Sequence, residues 1–135
     1  MLELYDTINP ADVQVLVDGL NAANAGRVPA NDKRPLSIMW RENGRLLGGL
    51  TGHTQWGWLY IKLLWVAPQR RGSGQGQRLV LAAENEARQR GCHAAFVNTY
   101  SFQAPTFYQK LGYTIWGQLN NYPAGHQRIY LRKIL

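Results

Sequence analysis

The spacing of apolar positions changes several times along the chain, and each change marks an element. Residues 2–8 alternate loosely between apolar and polar and predict a short strand. Val13, Leu16, Val17 and Leu20 then recur at helical spacing. They follow Asn9, a good N-cap, and Pro10, which suits the first helical position. Residues 21–35 contain Gly26, Pro29 and Pro35 among small polar residues and predict a loop. Two strand-like runs, 36–41 and 45–51, flank Asn43-Gly44, a hairpin signal because both residues tolerate positive φ. The run 56–66 is apolar on both faces, as expected of a central strand covered on both sides. Its alternation places Trp58, Tyr60 and Lys62 on one face.

Helical spacing returns over 75–90. Leu79, Ala83 and Ala87 lie four apart with Val80 beside them, and Glu84 and Arg88 are placed to pair on the other face. Gly91 is the expected stop. Residues 94–100 predict a strand, and 103–111 a short helix with Pro105 in its first turn and Gly112 as its end. Residues 113–119 and 127–131 predict a last strand pair around Pro123-Ala124-Gly125. The succession implies an α/β fold, an α+β mixed sheet of about six to seven strands with helices on both faces. One domain over residues 1–135 accommodates it.

Composition narrows the class. The chain is 45% hydrophobic and 17% charged, which is globular rather than disordered. Cys92 is the single cysteine, so no internal disulfide forms, in keeping with a reducing compartment. The N-terminal residues are partly acidic and lack an apolar signal core, and the most apolar run carries Lys62 and is too short to span a bilayer. A cytoplasmic protein with no membrane partner is expected. The net charge of +7 favours an anionic partner. Its basic residues are scattered, without a recognition-helix motif or a dense basic stripe, so a compact phosphate site is expected rather than nucleic acid.

That site is expected at Arg71-Gly72-Ser73-Gly74-Gln75-Gly76, between a buried strand and a helix. Glycines let a ligand approach the backbone, and the helix start offers unpaired N–H groups whose dipole favours anions. Arg70 and Arg71 can add charge-assisted contacts. Neither nucleotide pattern fits. A dinucleotide fingerprint needs glycine at Gln77 or Leu79, and the P-loop spacing from Gly72 also lands on Gln77.

The segment resembles the GNAT family of N-acetyltransferases. Its hallmark, Arg or Gln, two residues, Gly, one residue, Gly or Ala, is matched by Arg71, Gly74 and Gly76. The approach Leu64-Trp65-Val66-Ala67-Pro68 and the later Phe107-Tyr108-Gln109-Lys110-Leu111-Gly112-Tyr113 are similar to family segments one helix and one strand apart. The resemblance runs from about Leu46 to the C-terminus. It implies acetyl-CoA as cosubstrate, with no metal, and an amine of a small molecule or peptide as acceptor, acetylated directly in a ternary complex. By the same resemblance, backbone N–H groups of Arg71, Gly72, Ser73, Gly74, Gln75 and Gly76 hold the diphosphate. Leu64, Trp65 and Val66 pair with the pantetheine arm where two neighbouring strands splay, and an N–H near Val66 stabilises an oxyanion.

Tyr108 matches the family's general acid, against the alternative of a packed core tyrosine. Ser101 either contacts the pantetheine arm or caps the following helix. The general base is open. An amine with pKa of about 10 must lose a proton before it attacks, yet no Asp or Glu occurs between Glu42 and Glu84. His53, His126 and a water chain are the candidates, with His93 at the wrong end of its strand. A non-catalytic acyl-CoA-binding or sensing module is the alternative function. The acceptor and the oligomeric state, a homodimer included, are not readable from the sequence.

Overall fold

A computed structural model describes all residues, 1–135, as two compact units, 1–31 and 32–135. In the first unit, helix α1 spans Pro10–Asn24. Asn9 caps it as expected, its Oδ1 accepting from the N–H groups of Ala11 at 2.8 Å and Asp12 at 3.4 Å. The helix runs four residues further than its apolar stripe predicts. The strand expected over 2–8 does not form. Alternation alone does not make a strand; its backbone groups need a neighbour to pair with, and these residues join no sheet.

The second unit holds a six-stranded sheet: β1 Arg34–Glu42, β2 Arg45–Gln55, β3 Trp58–Val66, β4 Ala94–Tyr100, β5 Thr114–Asn120 and β6 Gln127–Ile134. Their spatial order is β1-β2-β3-β4-β6-β5, and only β3 and β4 pair in parallel. Helix α2 (Gln75–Gln89) provides the crossover between them, and α3 (Pro105–Lys110) links β4 to β5. The hairpin at Asn43-Gly44 forms as read, with φ of 50° and 75°. A second tight turn, Trp56-Gly57, joins β2 to β3 with φ of 47° and 79°. Its sequence looks like strand because tryptophan rarely leads such a turn; Asp32 supports it by accepting the Trp56 N–H at 2.8 Å.

Leu79, Val80, Ala83 and Ala87 of α2 pack on Leu50, Leu59 and Ile61 of the sheet, and Tyr108 of α3 joins the same cluster. Fully burying a leucine such as Leu50 or Leu59 contributes about 1.5–3 kcal/mol. Glu84 does not pair with Arg88. It is fully buried, its carboxylate accepting from the Tyr113 hydroxyl and the Lys133 Nζ, both at 2.8 Å. Arg88 donates instead to Asn85 at 3.1 Å. The opposite face of the sheet keeps Trp58, Tyr60, Phe96 and Tyr100 half-buried. The rings of Trp58, Tyr60 and Phe96 form tilted, edge and stacked pairs 4.9–5.9 Å apart together with His53 and His93, and Tyr100 pairs instead with Phe102 and Tyr122. Trp58 and Tyr60 are therefore less covered than their all-apolar strand suggests.

Candidate active site

The site begins where two parallel strands part. β3 and β4 are paired from Trp58–Ala94 to Ile61–Val97 and no further, although β3 continues to Val66 and β4 to Tyr100. A bulge begins the separation. Thr51 of β2 faces Leu63, but the next residue, Gly52, faces Ile61, so Lys62 is the extra residue on β3. A side chain at Gly52 would run into the Tyr60 carbonyl, so this close approach needs glycine. The bulge shifts the alternation: Leu59 and Ile61 face the core before it, and Leu64 and Val66 after it. Lys62 keeps the side of Trp58 and Tyr60, where its charge acts on His53 beside Tyr60, and the phase changes only after it, both Lys62 and Leu63 being exposed. It sits on the bulge at the lip of the gap.

The gap opens into a cleft of about 740 Å³. Lys62–Val66 form one wall, Val97–Thr99 the other, the turn around Gly72–Gln77 one end, and Gln103, Ala104, Phe107 and Tyr108 the floor. Beyond Ile61 the backbone edge of β3 that faced β4 has lost its strand partner, which leaves it able to pair with an extended amide-bearing arm. Leu64, Trp65 and Val66 all lie on this wall.

The glycine turn is built to leave amides free. Val66 leads through Ala67 into a short 3₁₀ turn, Pro68–Arg70. Ser73 Oγ donates to the Arg70 carbonyl at 2.7 Å, and Arg71 Nε donates to the Val66 carbonyl at 3.0 Å. Gly74 is the N-cap of α2 at φ 81° and supplies no side-chain cap, so the first amides of α2 keep their donors. A Cβ at Gly72 or Gly74 would meet no protein atom within 4 Å, so the turn's outer surface is open to a diphosphate. Gly76 has a different reason: Phe107 lies 3.3 Å from where its Cβ would be. The arginines are less available than expected, since Arg71 braces the strand exit and Arg70 Nη2 lies 2.6 Å from Glu42.

Tyr108 lies on the cleft floor with only 6% of its surface exposed. Phe107 and Tyr113 flank its ring edge-on at 5.1 and 5.6 Å. Burial pushes its phenol up to about 12. Ser101 stands apart from this cleft. Its Oγ accepts the Gln127 N–H at 3.0 Å and lies 3.3 Å from His126 Nδ1, so it ties β4 to the start of β6. Nor does it cap α3, whose N-cap is Ala104. Of the two roles expected for Ser101 the cap of α3 does not form, and the contact with the pantetheine arm rests on its position in the motif.

None of the three histidines lines the cleft. His53 is half-buried beside Tyr60; burial and the nearby charges of Lys33 and Lys62 hold its imidazole below its usual range. Cys92 is buried and also off the cleft, and burial raises its thiol. No cluster of three or more His, Cys, Asp or Glu is placed to hold a metal. Sequence reasoning missed Asn98 and Thr99 on the β4 wall and Gln103 on the floor. For Asn98 and Thr99 the only signal was strand alternation, which does not disclose that β4 borders a gap, and Gln103 lies between β4 and α3, where alternation says nothing.

Comparison with known proteins fits this architecture. Residues 2–113 match the family model described as the acetyltransferase (GNAT) family. A blasticidin-S acetyltransferase of Streptomyces morookaense is 45% identical over 104 residues, 73% of this chain and 76% of that protein. An acetyltransferase of Agrobacterium fabrum is 37% identical over 131 residues, 96% of each chain. A crystal structure from Agrobacterium tumefaciens, assigned as an acetyltransferase, is 36% identical and superposes with a TM-score of 0.92 over 100% of this chain and 99% of that one. With relatives that are acetyltransferases, the alternative of a non-catalytic coenzyme-binding module gives way to an enzyme. The chain belongs to the GNAT family of acetyltransferases, enzymes that move the acetyl group of acetyl-CoA to an amine.

Proposed function

We propose that the cleft between β3 and β4 is where this enzyme acetylates a small-molecule amine, within one domain formed by residues 1–135 and in the cytoplasm. The observation that carries the assignment is the parting of β3 from β4 after Ile61 and Val97, which opens the cleft onto the uncapped amides of α2. The acceptor class is supported by the relative named for blasticidin-S. No helix is long and apolar enough to cross a membrane. The assembly, monomer or two-fold dimer, follows from its mass in solution.

Acetyl-CoA supplies an activated thioester; the protein supplies position and donors. Backbone N–H groups from Gly72 to Gly76 hold the diphosphate, the Arg71 N–H being already donated to the Pro68 carbonyl at 3.3 Å, and the free edge of Leu64–Val66 holds the pantetheine arm in strand-like pairing. An N–H on that edge near Val66 is aimed at the negative charge that develops on the reacting carbonyl oxygen. Tyr108 donates to the departing sulfur. A phenol at about 12 and a thiol at about 8.5 differ enough that complete proton transfer would be uphill by about 5 kcal/mol. Tyr108 therefore stabilises the sulfur mainly by its hydrogen bond, and water takes the final protonation. The cleft wall holds no His, Asp or Glu, so the amine loses its proton through water, with Lys62 at the lip disfavouring a second positive charge.

Release of free thiol from acetyl-CoA, followed across an amine panel, tests the proposal. Saturable release with at least one small-molecule amine is expected. Tight coenzyme binding with no release above the water rate on any amine would overturn it.

A further inference from the structure

Arg128 of β6 stands beside Tyr100 of β4, on the face turned away from the core. Its guanidinium donates to Asn98 Oδ1 through Nε at 3.0 Å and Nη2 at 2.8 Å, and to the Tyr122 hydroxyl through Nη1 at 3.0 Å. The rings of Tyr100, Tyr122 and Tyr130 lie 5.2–5.7 Å from its central carbon. No carboxylate balances this half-buried charge. The acids of residues 32–135 are all engaged elsewhere: Asp32 with the Trp56 N–H, Glu42 with Arg70, Glu84 with Lys133, and Glu86 with Arg90.

A cation taken partly out of water and given only neutral partners lacks most of the compensation that a counter-ion provides. An amide oxygen and a phenol fix its orientation, and three of its five N–H donors are occupied. Asn98, which holds Arg128, also lines the cleft. The cation is therefore one side chain away from the gap where acetyl transfer is placed.

We propose that Arg128 binds a carboxylate that the acceptor carries alongside its amine, so that the enzyme selects zwitterionic amines over purely cationic ones. The inference rests on the functional reading given above and adds the acceptor's second group. The rings of Tyr100, Tyr122 and Tyr130 flank the guanidinium and pre-orient the planar fork, as a bidentate site needs. The absence of any free carboxylate on this face works in the same direction, because a second acceptor cation would find no partner.

The test uses β- and γ-amino acids and their carboxamides as matched pairs, compared at equal free-amine concentration. Rates of acetyl transfer and binding to the coenzyme A complex are both measured, for the wild type, Arg128→Gln and Arg128→Lys. The wild type is expected to favour the acid of at least one pair by roughly tenfold or more in kcat/KM, the size of a charge-assisted contact. Arg128→Gln should erase that preference through KM while leaving the carboxamide within about twofold and coenzyme affinity unchanged. Arg128→Lys should restore part of it, which keeps the inference testable should the Gln variant fold poorly. No preference in the wild type, or equal loss on acid and carboxamide in Arg128→Gln, overturns it. If no amine is acetylated, the functional reading fails separately, and the binding arm still decides: carboxylate-dependent binding lost in Arg128→Gln supports the inference, and its absence refutes it.

Discussion

At the residue scale, Tyr108 joins burial to chemistry. Its ring is part of the core cluster while the residue forms part of the cleft floor, so the side chain that packs the core also borders the proposed site of reaction. Tyr108→Phe keeps the ring and removes the donor. It should lower kcat by about tenfold to a hundredfold, the range of one lost donor to a developing charge, with coenzyme affinity changed by less than about threefold. Comparing kcat with the coenzyme Kd checks this, and an unchanged kcat would remove Tyr108 from the mechanism. The pH dependence follows from the same burial. The useful form is the protonated phenol, and with its pKa raised to about 12 that form persists through the working range. The alkaline side of the kcat profile should stay flat to about pH 10. A fall near pH 8–9 that disappears in Tyr108→Phe would contradict the assignment.

At the scale of elements, α2 is anchored from both ends of its chemistry. Its N-terminus offers amides to the cleft, and its buried Glu84 is held by Tyr113, just before β5, and by Lys133 of β6. Burial and the adjoining Glu84 carboxylate push the Tyr113 phenol strongly upward, so it remains a donor. Glu84→Ala leaves the buried Tyr113 hydroxyl and the part-buried Lys133 ammonium without their partner and should cost about 3 kcal/mol, read as a lower denaturant midpoint with unchanged slope. A loss below about 1 kcal/mol would mean that the pair contributes little. Glu84 also shows where sequence reading stopped. Its i,i+4 spacing to Arg88 is a surface pattern, and only the arrival of Lys133, 49 residues away, makes burial tolerable. The glycine turn, the Asn9 cap and the Asn43-Gly44 hairpin were legible because their chemistry is local. The bulge at Lys62, the tie from Ser101 to β6 and the Arg128 cluster were not, because each depends on which strands lie side by side.

At the scale of the whole molecule, charge is unevenly spread along the chain. Residues 1–31 carry Glu3, Asp6, Asp12 and Asp18 against Arg27 alone, so the net positive charge resides in residues 32–135. An anionic coenzyme meets a basic body, and its capture should be salt-dependent. Raising ionic strength from about 0.05 to 0.5 M should raise KM for acetyl-CoA several-fold while kcat changes little. A KM indifferent to salt would show that backbone amides alone, without the field of the surrounding arginines and lysines, govern capture.

The most direct measurement is a calorimetric titration of coenzyme A into the wild type and into Gly74→Asp, with circular dichroism confirming the fold of each. Gly74 sits at φ 81° with open space beyond it, so an aspartate there strains the turn and sets a carboxylate where the diphosphate would lie. One saturable site in the wild type and none in the variant is the predicted result. Equal affinity in the two proteins would show that the coenzyme does not bind at this turn, and the acetyl-transfer site would have to lie elsewhere.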